Sequence, residues 1–234
     1  MREVRRPAWR LAIVGAESTG KSTLAQALAQ RLGTLGPWRT TWVAEHLRSW
    51  CDAHGRTPLA HEQQGIAAEQ ARRIEAAEAS HDIVVCDTTP LMTAVYSRQV
   101  FGDRSLEAMA LDWQRQCHLT LLTALDLPWQ ADGLQRDGSQ VRVPVDTALR
   151  ELLIGAALPF VVIAGQGAAR LDAAIDAVTP HLLAGTSGAT GLFTRLAERD
   201  AAQPAWAWVC ETCDSPDCEH ASLKQARERL LQSR

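Results

Sequence analysis

Lysine is almost missing from this chain. Of its 24 basic residues only two are lysine, Lys21 and Lys224. Where arginine is used nearly everywhere, a lysine at a motif position stands out. Aromatic residues other than tryptophan are also scarce, with one tyrosine and three phenylalanines against eight tryptophans. No apolar run approaches the ~20 residues that span a bilayer, so no membrane partner is expected. The net charge of −3 gives no global basic surface for nucleic acid or an anionic membrane. Internal repeats and low-complexity tracts are absent as well. What remains is 46% hydrophobic over 234 residues, enough for a large core and against disorder. The start, MREVRRPAWRLAIVG, is basic then apolar like a secretory leader. Its apolar part is short and runs straight into a glycine-rich loop, so it is expected to be a first strand and the protein cytoplasmic.

Strand-like apolar runs occur at Trp9–Val14, Thr40–Ala44, Ile83–Cys86, Leu119–Leu122 and Phe160–Ala164. Between them lie stretches of helical period at Lys21–Leu32, Leu59–Ser80, Leu91–Val100, Ser105–Cys117, Thr147–Leu153 and Ala168–Leu182. Short continuous apolar strands alternating with helices predict an α/β fold, a parallel sheet of about five strands covered on both faces. The glycine-rich stretch Gly185–Gly191 predicts a linker, dividing the chain into a domain over 1–183 and a small cysteine-containing C-terminal appendix over 184–234.

Gly15 to Thr23 reads GAESTGKST, a glycine, four residues, then Gly-Lys-Ser-Thr, placed between an apolar strand and an alanine-rich helix. This is the pattern of a phosphate-binding P-loop, and it makes the predicted fold that of a P-loop NTPase. Glycines let consecutive backbone N–H groups turn inward onto an anion, and the following helix adds its positive end. Gly15, Glu17, Ser18, Thr19, Gly20, Lys21, Ser22 and Thr23 are therefore the candidate ATP-binding residues. Lys21 is expected to reach the β- and γ-phosphates, and Ser22 to ligate Mg²⁺.

Ligands of open α/β sheets gather beyond the carboxyl ends of the strands. The third run ends in Asp87-Thr88-Thr89, which places Asp87 beside the P-loop as a second Mg²⁺ ligand; the bland alternative is a cap for the next helix. The second run ends in Glu45, which can accept a hydrogen bond from an acceptor hydroxyl and serve as its base. Its bland alternative is a surface pair with Arg48. The polar stretch Gln130–Gln140, with two glycines and two aspartates, suits a lid. Arg136 within it and Arg142 beyond it are candidates to stabilise charge on a transferring phosphoryl group. Pro128-Trp129 would anchor a hinge. Ile163-Ala164-Gly165-Gln166-Gly167 would bring backbone against the adenine.

These residues resemble the nicotinamide-riboside kinase domain of the NadR type, over roughly residues 9–183. The P-loop Gly15-Ala16-Glu17-Ser18-Thr19-Gly20-Lys21-Ser22 is the most specific match. Glu45-His46-Leu47-Arg48, Asp87-Thr88-Thr89 and Asp132-Gly133-Leu134 resemble the family's segments after the second strand, after the third strand and in the lid. The chain departs from the family where His46 replaces tyrosine, Ser49 a glutamate and Thr89 an aspartate, and where Gln135 takes the lid arginine position. The resemblance implies transfer of the ATP γ-phosphoryl to the 5′-hydroxyl of nicotinamide riboside, with Glu45, His46, Arg48 and Asp132 near the substrate. The cationic pyridinium of that substrate favours aromatic faces and carboxylates. Trp42, Trp50, Tyr96, Trp113 and Trp129 are the candidate walls. Two other readings stay open: a kinase for another nucleoside, and a regulatory P-loop ATPase with a protein partner on its appendix.

Cys51, Cys86 and Cys117 are scattered as buried thiols usually are, whereas Cys210, Cys213, Cys218 and His220 fall within eleven residues. Three thiols and an imidazole at that spacing suit Zn²⁺, with reduced free thiols as the alternative.

Overall fold

The computed structural model describes residues 7–130 and 138–184. By backbone contacts the chain divides into Met1–Pro180 and His181–Arg234, and the fold that follows is that of the first unit. The proposed lid residues Asp132 and Arg136 lie outside the described residues, as do the linker and the appendix with Cys210, Cys213, Cys218 and His220.

The apolar runs form five parallel strands in the order β2-β3-β1-β4-β5. β1 is Trp9–Val14, β2 Thr40–Val43, β3 Ile83–Asp87, β4 Leu119–Thr123 and β5 Val161–Ile163. The three inner strands β3, β1 and β4 are buried at almost every position, because helices cover both faces and leave no solvent side to alternate with. β1 pairs Leu11 with Val85 on one side and with Leu119 on the other. That register brings the C-terminal ends of the central strands level, with Ile13 opposite Asp87.

The helices are α1 Lys21–Leu35, α2 His46–His54, α3 Gln63–Glu78, α4 Pro90–Phe101, α5 Glu107–Gln114, α6 Arg142–Gly155 and α7 Gly167–Ala184. α6 starts five residues before the expected Thr147, because Pro144 falls in its first turn, where the missing N–H has no intrahelical partner to lose. α2 has no counterpart among the helical stretches read from the sequence. It buries only Leu47 and Cys51, one turn apart, against Ile66 of α3, and stops where Gly55 turns left-handed and donates to the Cys51 carbonyl. No helix among the described residues is long and apolar enough to cross a membrane.

A core cluster lies between the sheet and the α4–α6 side. Val14, Leu91, Met92, Val95, Leu122, Val145, Leu149 and Leu153 pack there with little or no exposure. Gly15 leaves β1 at φ +152°, and a Cβ built there would collide with Thr123 Oγ1 of β4. Gly15→Ala is therefore expected to destabilise the fold by about 1–3 kcal/mol, the scale of overpacking a closed site. A urea melt measures it; an unchanged midpoint would mean that β4 can yield at Thr123.

Candidate active site at the carboxyl ends of the strands

The loop from Gly15 to Gly20 joins β1 to α1, and its turns need unusual backbone. Ser18 and Gly20 are left-handed at φ 54° and 76°. The loop is braced from inside: the Thr19 hydroxyl donates to the Ala16 carbonyl at 2.8 Å and lies 2.7 Å from the Thr123 hydroxyl. α1 begins at Lys21 with no side-chain cap on its N-terminus and no acidic residue in its first turn. Its first N–H groups are thus left to an external anion. Lys21, 6% exposed, donates from Nζ to the Ala16 carbonyl at 2.8 Å. Burial pushes its pKa down, while Glu45, Asp87 and Glu17 pull it back up.

Asp87 ends β3 beside this loop and is 1% exposed. It accepts a hydrogen bond from the Ser22 hydroxyl, and its Oδ1 has no hydrogen-bond partner among the described residues. Burial pushes its pKa up, Glu45 adds to that, and Ser22 and Lys21 oppose it. It does not cap α4, whose N-cap is Thr89. The next residue, Thr88, sits at φ 69°, an outlier for a β-branched side chain, with its N–H continuing the ladder to the Ile13 carbonyl at 3.1 Å. A serine hydroxyl and a buried carboxylate with an unmatched oxygen, next to a phosphate cradle, are a donor set that fits Mg²⁺.

Glu45 leaves β2 and begins α2. It pairs with Arg48 through Oε2 at 3.1 Å, as the bland alternative required, yet it is 8% exposed and not a surface group. Glu45 and Arg48 line a recess with Glu17, Tyr96, Trp129 and Gln130. The recess adjoins a cleft of about 660 Å³ lined by Ser18 to Thr23, Arg48, Leu127, Pro128, Gln130, Gln166 and Gly167. Lys21, Ser18, Arg48 and Gln130 belong to both.

Other expected residues fall elsewhere. Trp42 lines a shallow edge pocket with Gln26, Ala29, Gln30, Thr40 and Thr41, beside α1. Trp50 stacks on His54 at 3.9 Å, and Trp113 is buried in the core. His46 faces α3: its backbone N–H donates to Gln70 Oε1 at 2.7 Å, and burial, then Arg73, push its pKa down. It is not among the residues lining the cleft or the recess. Arg142 is 8% exposed in the first turn of α6, where it holds the Leu127 carbonyl at 2.8 Å.

Thr123, Asp126 and Arg170 bear on the site without any motif to mark them. Asp126 follows β4, and Arg170 lies in the first turn of α7. The one signal in the sequence was an arginine four residues after Gln166, at a helix start where cations are disfavoured.

A family model described as an AAA domain matches residues 10–170. The chain belongs to that family. Within this AAA domain lie the P-loop, Asp87, Glu45 and all three of the residues just named. The trifunctional NAD biosynthesis/regulator proteins NadR of Salmonella typhimurium and of Escherichia coli are each 30% identical to the chain over 136 residues, 56% of its length. The chain spans only about a third, 32%, of those relatives. Among solved structures, a NadR protein in complex with NR aligns with a TM-score of 0.61 at 21% identity, over 74% of this chain and 50% of that one. A NadR protein in complex with NAD and AMP-PNP aligns with a TM-score of 0.59 at 19% identity, over 74% and 49%. The resemblance to NadR expected from the P-loop and strand ends is thus found by sequence and by fold.

Proposed function

We propose that this protein is an ATP-dependent kinase of a small molecule, and that its acceptor is the 5′-hydroxyl of nicotinamide riboside. The observation that carries this reading is the junction of two differently built spaces. A long cleft along the P-loop suits a triphosphate, and a recess shares lining residues with it. That recess, about 20 Å³ as it stands and so open to an acceptor ring only on widening, is walled by two aromatic rings, Tyr96 and Trp129, two carboxylates, Glu17 and Glu45, and two cations, Lys21 and Arg48. Aromatic faces and carboxylates are the groups that recognise a cationic ring. The NR complex of the structural relative and the NAD biosynthesis in the name of the sequence relatives agree with that acceptor.

In this mechanism the P-loop amides and Lys21 hold the β- and γ-phosphates. Ser22 and Asp87 would hold Mg²⁺, which when bound neutralises charge on the phosphate oxygens. Glu45, fixed by Arg48, accepts the proton of the acceptor hydroxyl as its oxygen bonds to the γ-phosphorus and the bond to the ADP oxygen breaks. Arg136 is assigned the stabilisation of the transferring group, with Asp132 beside the substrate. The protein works in the cytoplasm on this reading.

Incubation with Mg-ATP and a panel of nicotinamide riboside, uridine, cytidine and deoxynucleosides tests the proposal. The expected result is ADP and nicotinamide mononucleotide in equal amounts. ATP hydrolysis with no phosphorylated nucleoside would instead favour the regulatory ATPase. Trp129→Ala is expected to raise the acceptor KM about tenfold, the scale of losing one desolvated cation–aromatic contact. The ATP KM should barely move, and equal rises in both would take Trp129 out of the acceptor recess.

A further inference from the structure

Arg170 is a cation in the first turn of α7, the place on a helix least favourable for one. It is also 4% exposed, while its acidic partner Asp126 has a side chain 33% exposed, so the ion pair is weak evidence of stabilisation by itself. Its bonds explain why it stands there. Nη1 donates to Asp126 Oδ1 at 2.8 Å and to the Gly165 carbonyl at 2.7 Å. Nη2 donates to the Thr19 carbonyl at 2.9 Å and to the Ala124 carbonyl at 3.3 Å. Asp126 Oδ2 in turn accepts the Gly165 N–H at 2.6 Å. One guanidinium thereby ties together the P-loop, the end of β4 and the loop between β5 and α7.

Every peptide bond described here is trans, so a carbonyl pointing at Arg170 sends the next N–H the opposite way. The Thr19 carbonyl fixes the N–H of Gly20, and the Gly165 carbonyl fixes the N–H of Gln166. Gly20 and Gln166 both line the nucleotide cleft. Gly20, at φ 76°, belongs to the phosphate cup, while Gln166 lies on the other strand-end loop, the side expected to meet the base. The left-handed backbone of Gly165, φ +98°, is what lets its N–H and carbonyl face Asp126 and Arg170 together.

We propose that Arg170, with Asp126, is a positioning residue that sets the orientation and spacing of the Gly20 and Gln166 amides, and so matches the cleft to a whole nucleotide. It does so without touching the nucleotide. The inference rests on the nucleotide-binding part of the function proposed above, and adds the residues that determine how a phosphate site and a base site are held in register. Lysine cannot replace this arginine, because one ammonium cannot reach acceptors on three loops in a planar fork.

Calorimetry with Mg-ATP and with inorganic tripolyphosphate tests this on the full chain, using wild type, Arg170→Lys and Asp126→Asn. Tripolyphosphate meets the cup alone, whereas ATP spans both loops. The expected result for Arg170→Lys is about tenfold weaker ATP binding, the scale of loosening one or two backbone hydrogen bonds, with a loss of about threefold or less for tripolyphosphate. The ratio of the two affinities is the readout, because general loosening of the fold would lower both alike. Asp126→Asn, nearly the same shape, should shift the ratio in the same direction and carries the test if Arg170→Lys does not fold. An unchanged ratio in a folded variant overturns the proposal. Failure of the wild type to bind Mg-ATP would overturn the nucleotide reading itself, and this inference with it.

Discussion

Replacing Lys21 by alanine is expected to lower phosphoryl transfer by about 10²–10³-fold, the loss that follows removal of one preorganised charge-stabilising donor. Lys21 is the only lysine in the described residues, and its ammonium is already held inside the loop by the Ala16 carbonyl. That bond is local and weak enough to exchange for a phosphate oxygen, so little reorganisation is needed when a triphosphate arrives. Loss should appear in kcat as well as in ATP affinity, because charge on the β- and γ-oxygens grows during transfer. Lys21→Arg should not restore activity. A planar guanidinium is larger than the ammonium, and the space around Nζ is closed by a loop with Ala16 and Thr19 at 0% exposure. Lys21→Ala should remain folded, since it removes a buried cation whose ammonium form burial already disfavours. Circular dichroism with single-turnover kinetics measures both effects. A folded Lys21→Ala protein with wild-type transfer would remove the P-loop from the chemistry.

The parts of this site that the sequence made legible are those where backbone chemistry dictates side-chain type. A cradle of N–H groups requires glycines at fixed spacing, so Gly15, Gly20 and Lys21 declare themselves. Continuous apolar runs end where the sheet ends, which located Asp87 and Glu45 without any motif. Asp126 has no signal in the sequence, and Arg170 has only its unfavourable place at a helix start, which names no partner. They meet across 44 residues, and only the strand order β1-β4-β5 brings their loops together. α2 was missed for a related reason: with Leu47 and Cys51 as its only buried residues, its apolar stripe is too short to register as a period. Trp42 shows the opposite error. A tryptophan close to Glu45 in sequence looked like a substrate wall, but the period-two alternation of β2 and its place at the sheet edge put it beside α1.

Asp87→Asn is expected to separate activity from stability. Transfer should fall by about 10²–10³-fold, because asparagine meets Ser22 only as a neutral group and offers no anionic oxygen to a divalent cation. Stability should be equal to or above wild type at neutral pH. The sign follows from the raised pKa of Asp87, whose first cause is burial and whose next unfavourable neighbour is Glu45. A carboxyl with a folded pKa above its unfolded one favours folding most when protonated. Its contribution is fully present below the ordinary value of 3.8 and is lost as pH rises through the raised folded value. At neutral pH the wild type therefore carries an ionised, buried carboxylate with an unmatched Oδ1, and the amide variant does not. The gap in melting temperature between variant and wild type should widen as pH rises through that window and close below it. Mg-ATP should narrow or reverse the gap, since it binds more tightly to, and so stabilises more, the protein whose carboxylate remains. Thermal melts across pH, with and without Mg-ATP, carry the test. A wild type more stable than Asp87→Asn at neutral pH without ligand would mean that Asp87 serves the fold through Ser22, and that its burial is not a cost to stability.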